Sequence, residues 1–184
     1  EVSFSMLYGF PVTDSAGTIS LQTFETVSDT TPSAATWLQV LPQRFLLEPG
    51  QQQTVRLMAS PPPGLAPGEY WARLVISSRG GRVSVPSAHA KPGVTVGLDL
   101  EVRSVMPVFY RHGALNTGVR MAAPRATIQH DSLAVRVHLT RTGNAAFLGT
   151  LTAELRNAAG RVVAQGQLPT SVYYTLDPKF MVSI

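Results

Sequence analysis

Hydrophobic and polar residues alternate along many short stretches of this chain, which is the pattern of β-strands. Successive side chains of a strand point to opposite faces, so a half-buried strand repeats every two residues. The clearest stretch begins with Leu98, Leu100 and Val102 on one face and charged residues on the other. Further predicted strands cover residues 2–6, 18–21, 36–40, 45–47, 53–58, 70–76, 133–139, 148–155, 161–164, 172–174 and 180–182.

Residues that break regular structure separate these strands. Turns are predicted at 14–17, 48–50, 79–82 and 157–160, and loops at 61–68 and 86–93. Residues 113–124 are predicted to be a connector, within which 119–121 pair only briefly. No segment shows a sustained helical period with caps at both ends.

Many short strands with closely spaced turn signals predict an all-β fold of two immunoglobulin-like sandwiches. The pattern restarts after Arg111, so the predicted domains are residues 1–111 and 112–184. The second has fewer residues than the ~100 usual for such a sandwich, and it is expected to be incomplete.

Pro107 lies inside the strand that begins at Leu98. Proline has no backbone N–H and is tolerated mainly at the edges, ends and bulges of sheets. This strand is therefore predicted to lie at or near a sheet edge.

Composition narrows the possible functions. The net charge of +4 comes from 13 Arg and 2 Lys against 11 acidic residues. The arginines are scattered singly among the strands, which favours solvated strand faces over a nucleic-acid surface. Cysteine is absent, and no apolar stretch is long enough for a membrane-spanning helix. The chain begins with Glu1, so we expect that a leader was removed or that the sequence starts late.

No arrangement of residues predicts catalysis. The four histidines lack metal-ligand spacing. The sequence His130-Asp131-Ser132 holds the residue types of a catalytic triad, but triad members are rarely adjacent, and a turn is favoured. We therefore expect no enzyme activity, metal, cofactor or small-molecule substrate.

Three segments together resemble the amino-terminal domain of the PapD-like periplasmic pilus-assembly chaperones. They are WLQVLP at 37–42 with FLLEPG at 45–50 and QTVRL at 53–57, then PGEYWARL at 67–74, and last the stretch 98–111, which ends in PVFYR. The pattern V-x-L-x-x-T-G-N at 137–144, with the strands at 148–155 and 160–164, resembles the carboxy-terminal domain more loosely.

The resemblance implies two immunoglobulin-like domains set in an L, and a periplasmic protein that lends a strand to pilus or appendage subunits before their delivery to an outer-membrane usher. The implied donor strand is the one from Leu98 onwards, with Leu98, Leu100 and Val102 filling a groove in the subunit. The family's first strand is expected to precede Glu1.

The same resemblance implies an ion pair between domains, with Arg111 as one member and Glu69 as its partner. The family also holds the subunit's terminal carboxylate with basic residues, one of which is commonly a Lys where this chain has Pro107. An uncharged ring cannot replace that lysine. Either the carboxylate is held differently, with Arg103 or Arg111 as the candidate anchor, or this protein does not bind pilus subunits in the usual way.

Two other classes of function stay open from the sequence. The chain is alternatively a structural or adhesive surface module that shares only the sandwich fold. In that case the face of Leu98, Leu100 and Val102 belongs to its own core. A lectin or carbohydrate-active enzyme would need clustered exposed aromatic or acidic residues, which the sequence does not show.

Overall fold

The protein is all-β. A computed structural model of the chain describes residues 1–28, 31–84 and 97–184, and it describes the side chains in these ranges except those of 81–84, 97 and 98. None of these residues is helical, so the described ranges hold no helix that could cross a membrane. The strands of the described ranges are β1 Val2–Thr13, β2 Ile19–Phe24, β3 Leu38–Leu41, β4 Arg44–Phe45, β5 Arg56–Ala59, β6 Gly68–Ser84, β7 Gly97–His112, β8 Thr117–Gln129, β9 Ser132–Gly143, β10 Phe147–Arg156, β11 Val162–Val172, β12 Thr175–Leu176 and β13 Lys179–Ser183.

Contacts divide the chain into two compact units. The first unit comprises Glu1–Tyr8, Glu25–Gly64 and Trp71–Phe109, and the second comprises Gly9–Phe24, Leu65–Tyr70 and Tyr110–Ile184. The second unit thus includes residues 9–24, 65–70 and 110–111, which lie within the predicted first domain, residues 1–111. The boundary at residue 111 and the immunoglobulin-like character of each domain stay predictions.

In the first unit, β6 is paired on both sides, with β1 and with β7. The antiparallel register of β1 and β6 runs from Val2 opposite Ser78 to Leu7 opposite Arg73. Strand β4 pairs with the start of β1, and β3 with β5 forms a separate two-stranded sheet. Among the described strands, β7 is the last of its sheet, which confirms for these residues the edge position that Pro107 predicts.

The core of the first unit surrounds Trp71, a buried residue of β6. Its backbone N–H donates to the carbonyl of Pro32 and its carbonyl accepts from Ala34, each at 2.9 Å. Leu38 and Val40 of β3 are also buried, while the residues between and after them are exposed. This alternation in β3 is the one that the sequence predicts.

In the second unit, β9 pairs with β8 on one side and with β12 and β13 on the other. Strands β10 and β11 form a hairpin whose turn lies at the predicted residues 157–160. The buried cluster of this unit contains Val137, Leu139, Val172 and Leu176. Strand β2, which is hydrogen-bonded to β1, follows the predicted turn at 14–17.

The predicted turn at residues 79–82 is wrong. Strand β6 continues through these residues to Ser84, and Gly80 has a φ of +128°, a conformation that glycine adopts without steric cost. Two adjacent glycines are a local signal for a turn, but Arg79 exchanges backbone hydrogen bonds with Glu1, and this long-range pairing overrides that preference.

The predicted connector at residues 113–124 is also wrong over most of its length. Strand β8 begins at Thr117 and pairs with β9 up to Gln129. The pairing is interrupted between Ala122 and Arg125, where the register shifts. Pro124 lies in this irregularity, where its missing N–H interrupts no ladder. A bulge therefore allows a proline within β8, in a segment that the sequence predicts to be a connector.

The core position of Trp71 gives a test of the first unit. Trp71→Ala should lower the free energy of unfolding by about 3–5 kcal/mol, because it removes a large buried side chain and leaves a cavity. Urea unfolding followed by circular dichroism measures this. The matched control is Leu46→Ala, since Leu46 is 81% exposed and its truncation should change stability by about 0.5 kcal/mol or less. Equal effects of the two substitutions would contradict this account of the core.

Candidate functional site

The candidate functional site is β7, which has one neighbouring strand, β6, in the described part of the chain. The backbone groups on the other side of an edge strand are available to pair with another chain. Residues 99–107 of β7 are exposed, and residues 108–110 are half-buried. The longest exposed part of β7 is therefore residues 99–107.

One face of β7 is apolar and exposed. Leu100, Val102 and Met106 are 48%, 62% and 51% exposed, and their even spacing places them on the same face of the strand. Leu98 belongs to β7, but its side chain lies outside the described residues. The structure thus places two of the three predicted groove-filling side chains on an accessible surface, and it adds Met106, which the sequence analysis did not select.

The other face of β7 carries an ion-pair cluster. The carboxylate of Glu101 accepts a hydrogen bond from Arg103 Nε at 2.7 Å and lies 3.2 Å from Arg79 Nη2. The hydrogen bond from Arg103 is the main cause that lowers the pKa of Glu101. Burial acts in the opposite direction, and the hydrogen bond from Arg79 lowers the pKa further. Arg103, the candidate anchor for a carboxylate, therefore already holds a carboxylate within its own strand.

Glu69 and Arg111 lie together in the second unit. Arg111 Nε donates to Glu69 Oε2 at 2.8 Å, and the backbone N–H of Ala146 donates to the other oxygen, Oε1, at 3.1 Å. Glu69 is 2% exposed and Arg111 is 58% exposed. The buried carboxylate therefore has a partner for each oxygen, as a buried charge requires. The role of this pair between domains stays a prediction.

Asn144 is a residue whose role the sequence analysis did not identify. Its side-chain nitrogen donates to the carbonyls of Pro67 and Ala114, and its side-chain oxygen accepts from the N–H of Asn116. Gly143 before it has a φ of +80°, and a Cβ there would lie 2.2 Å from the carbonyl oxygen of Asn116. The T-G-N sequence at 142–144 thus fixes a junction of loops in the second unit, beside the start of β6.

In the described ranges, no group of three or more acidic or histidine side chains could hold a metal ion. His130 and Asp131 form the turn between β8 and β9, so the predicted turn is confirmed. No family model, curated protein or solved structure matches this chain.

The unequal burial of Glu69 and Arg111 gives a prediction for the pair. Glu69→Ala should lower the free energy of unfolding by about 1–3 kcal/mol, because it leaves the buried N–H of Ala146 without an acceptor. Arg111→Ala should cost about 1 kcal/mol or less, because the guanidinium is largely exposed. Urea unfolding of both variants gives the comparison. A larger cost for Arg111→Ala would show that the carboxylate depends mainly on the guanidinium.

Proposed function

We propose that this protein is a periplasmic chaperone that binds pilus or surface-appendage subunits by lending them β7, for delivery to an outer-membrane usher. The observation that carries the proposal is the exposed apolar face of Leu100, Val102 and Met106 on a strand at the edge of its sheet. The two compact units then correspond to two immunoglobulin-like domains, and the protein acts without catalysis or a cofactor.

Strand donation explains why an edge strand would keep exposed apolar side chains. An edge strand with exposed apolar side chains invites uncontrolled pairing, and stable proteins usually protect such edges. In a subunit groove, each apolar side chain of β7 would contribute about 1.5–3 kcal/mol before the costs of association. The backbone groups along the outer edge of β7 would pair with the edge of the subunit and set the register.

Arg103 is the better of the two candidate anchors for a subunit carboxylate. Its partner Glu101 is on the surface, and exposed ion pairs are worth about 1 kcal/mol or less. Exchanging Glu101 for a carboxylate of the subunit would therefore cost little. Arg111 instead donates to the buried carboxylate of Glu69, so binding a subunit carboxylate would compete with a contact inside the protein.

The alternative function is a structural or adhesive surface module, in which the face of Leu100 and Val102 belongs to the protein's own core. The exposure of both side chains favours the chaperone, because a core residue would be protected from water. No described feature favours a carbohydrate-binding site.

Leu100→Glu distinguishes the two functions. In the chaperone the new carboxylate stays solvated in the free protein, so the melting temperature should change little. In a subunit groove the same carboxylate would be desolvated without a partner, so subunit capture should be lost. The measurements are the melting temperature and the proteins retained by the tagged chain in the periplasm of its source organism, identified by mass spectrometry.

Val105→Glu is the matched control, because Val105 is exposed on the opposite face of the same strand and the substitution introduces the same charge. It should leave both folding and capture intact. Severe destabilisation by Leu100→Glu would favour the structural module. Intact capture in Leu100→Glu would exclude β7 as the donor strand.

A further inference from the structure

Three cationic residues form a row across adjacent strands of the second unit. Arg136 of β9 lies directly opposite Arg125 of β8 on one side and directly opposite Lys179 of β13 on the other. Directly opposite residues share a face of the sheet, and neighbouring strands are about 5 Å apart. We call Arg125, Arg136 and Lys179 the cation row.

No carboxylate compensates the cation row in the described part of the chain. None of its three side chains makes an ion pair there. Arg136 Nη2 donates to the carbonyl of Ser15 at 3.1 Å, and Lys179 Nζ donates to Gln129 Oε1 at 3.4 Å. Both acceptors are uncharged, so the like charges are not neutralised. Like charges placed directly opposite each other destabilise a sheet.

Nearby acidic residues are engaged elsewhere. Asp177, two residues before Lys179, has its carboxylate 2.8 Å from His138 Nδ1. Asp14, next to Ser15, accepts a hydrogen bond from the backbone N–H of Thr18 at 2.8 Å. The local sequence therefore supplies carboxylates close to the cation row, but the fold directs these to other partners.

The cation row lines a depression in the sheet. A cavity of about 340 Å³ is lined by Arg125, Thr127, Gln129, Ala134, Arg136 and Lys179. Ala134 is buried and lies directly opposite Thr127. Its small side chain lies between longer ones, which gives the depression its depth. Three positive charges, a hydroxyl and an amide thus face one space.

We propose that the cation row binds a phosphate group, independently of the function of β7. Guanidinium groups match the oxygens of phosphate with two parallel hydrogen bonds, and Thr127 adds a hydroxyl donor. A multiply charged oxyanion would remove the repulsion within the row, which an apolar or cationic ligand could not do. The phosphate belongs either to a free anion or to a lipid headgroup.

The test is a calorimetric titration of the full chain with pyrophosphate at constant ionic strength, with sodium chloride as the balancing salt. Arg136→Gln should raise the dissociation constant by roughly tenfold or more, the loss expected for a charge-assisted hydrogen bond. Arg125→Gln should act in the same direction, and it lies on the exposed part of β8, where a folding defect is not expected. The matched control is Arg161→Gln in the β10–β11 turn, which removes the same charge away from the cavity and should change binding by about twofold or less.

The outcomes are distinct once the melting temperature of each variant shows that it is folded. Loss of binding in Arg136→Gln and Arg125→Gln but not in Arg161→Gln supports the site. If the wild-type chain does not bind pyrophosphate, or if all three substitutions weaken binding equally, a site for a free phosphate anion is overturned.

Binding to vesicles of phosphatidylcholine with phosphatidylglycerol then tests whether the phosphate belongs to a lipid headgroup. Retention of the wild-type chain but not of Arg136→Gln supports a lipid phosphate, whereas binding of pyrophosphate alone supports a free anion. Binding of neither ligand contradicts the proposal.

Discussion

The pairing of β6 on both sides is the constraint on which the rest of the first unit depends. A buried strand must satisfy the backbone N–H and C=O groups along both of its edges, and β6 does so with β1 and β7. Its central position buries Trp71 in the core. The same pairing makes β7 the last of the described strands of this sheet, with Leu100 and Val102 exposed. The exposed face of β7, on which the proposed function rests, thus follows from the hydrogen bonding of the β6 backbone to its two neighbouring strands.

Charged side chains of this basic protein are compensated to three different degrees. Glu69 is buried, and each of its oxygens has a partner, one from Arg111 and one from a backbone N–H. Glu101 is on the surface and forms ion pairs with the guanidinium groups of Arg79 and Arg103. Arg103 can therefore exchange Glu101 for another carboxylate at low cost in free energy. The cation row has no carboxylate in the described part of the chain, and its charges repel one another. These differences in compensation, rather than the net charge, distinguish a structural pair, an exchangeable pair and a proposed anion site.

The two proposed sites use different physical interactions and lie in different compact units. Strand β7 offers apolar side chains and the outer edge of a sheet, so its recognition depends on burial and on strand pairing. The cation row offers charge and hydrogen-bond donors, so its recognition depends on electrostatics and should weaken with salt. A substitution in β7 should therefore leave anion binding unchanged, and a substitution in the cation row should leave subunit capture unchanged.

The sequence by itself determined the features that depend on local patterns. Alternation predicted the all-β fold and the faces of β3 and β7, breaker residues predicted the turns at 14–17 and 157–160, and Pro107 predicted an edge strand. Local signals failed where long-range pairing competes with them, as at Gly80 in β6 and Pro124 in β8. The approach of Glu69 to Arg111 was expected only from a resemblance, and its geometry required the tertiary structure. The cation row could not be predicted at all, because residues 125, 136 and 179 look like scattered arginines and a lysine until strand register places them side by side.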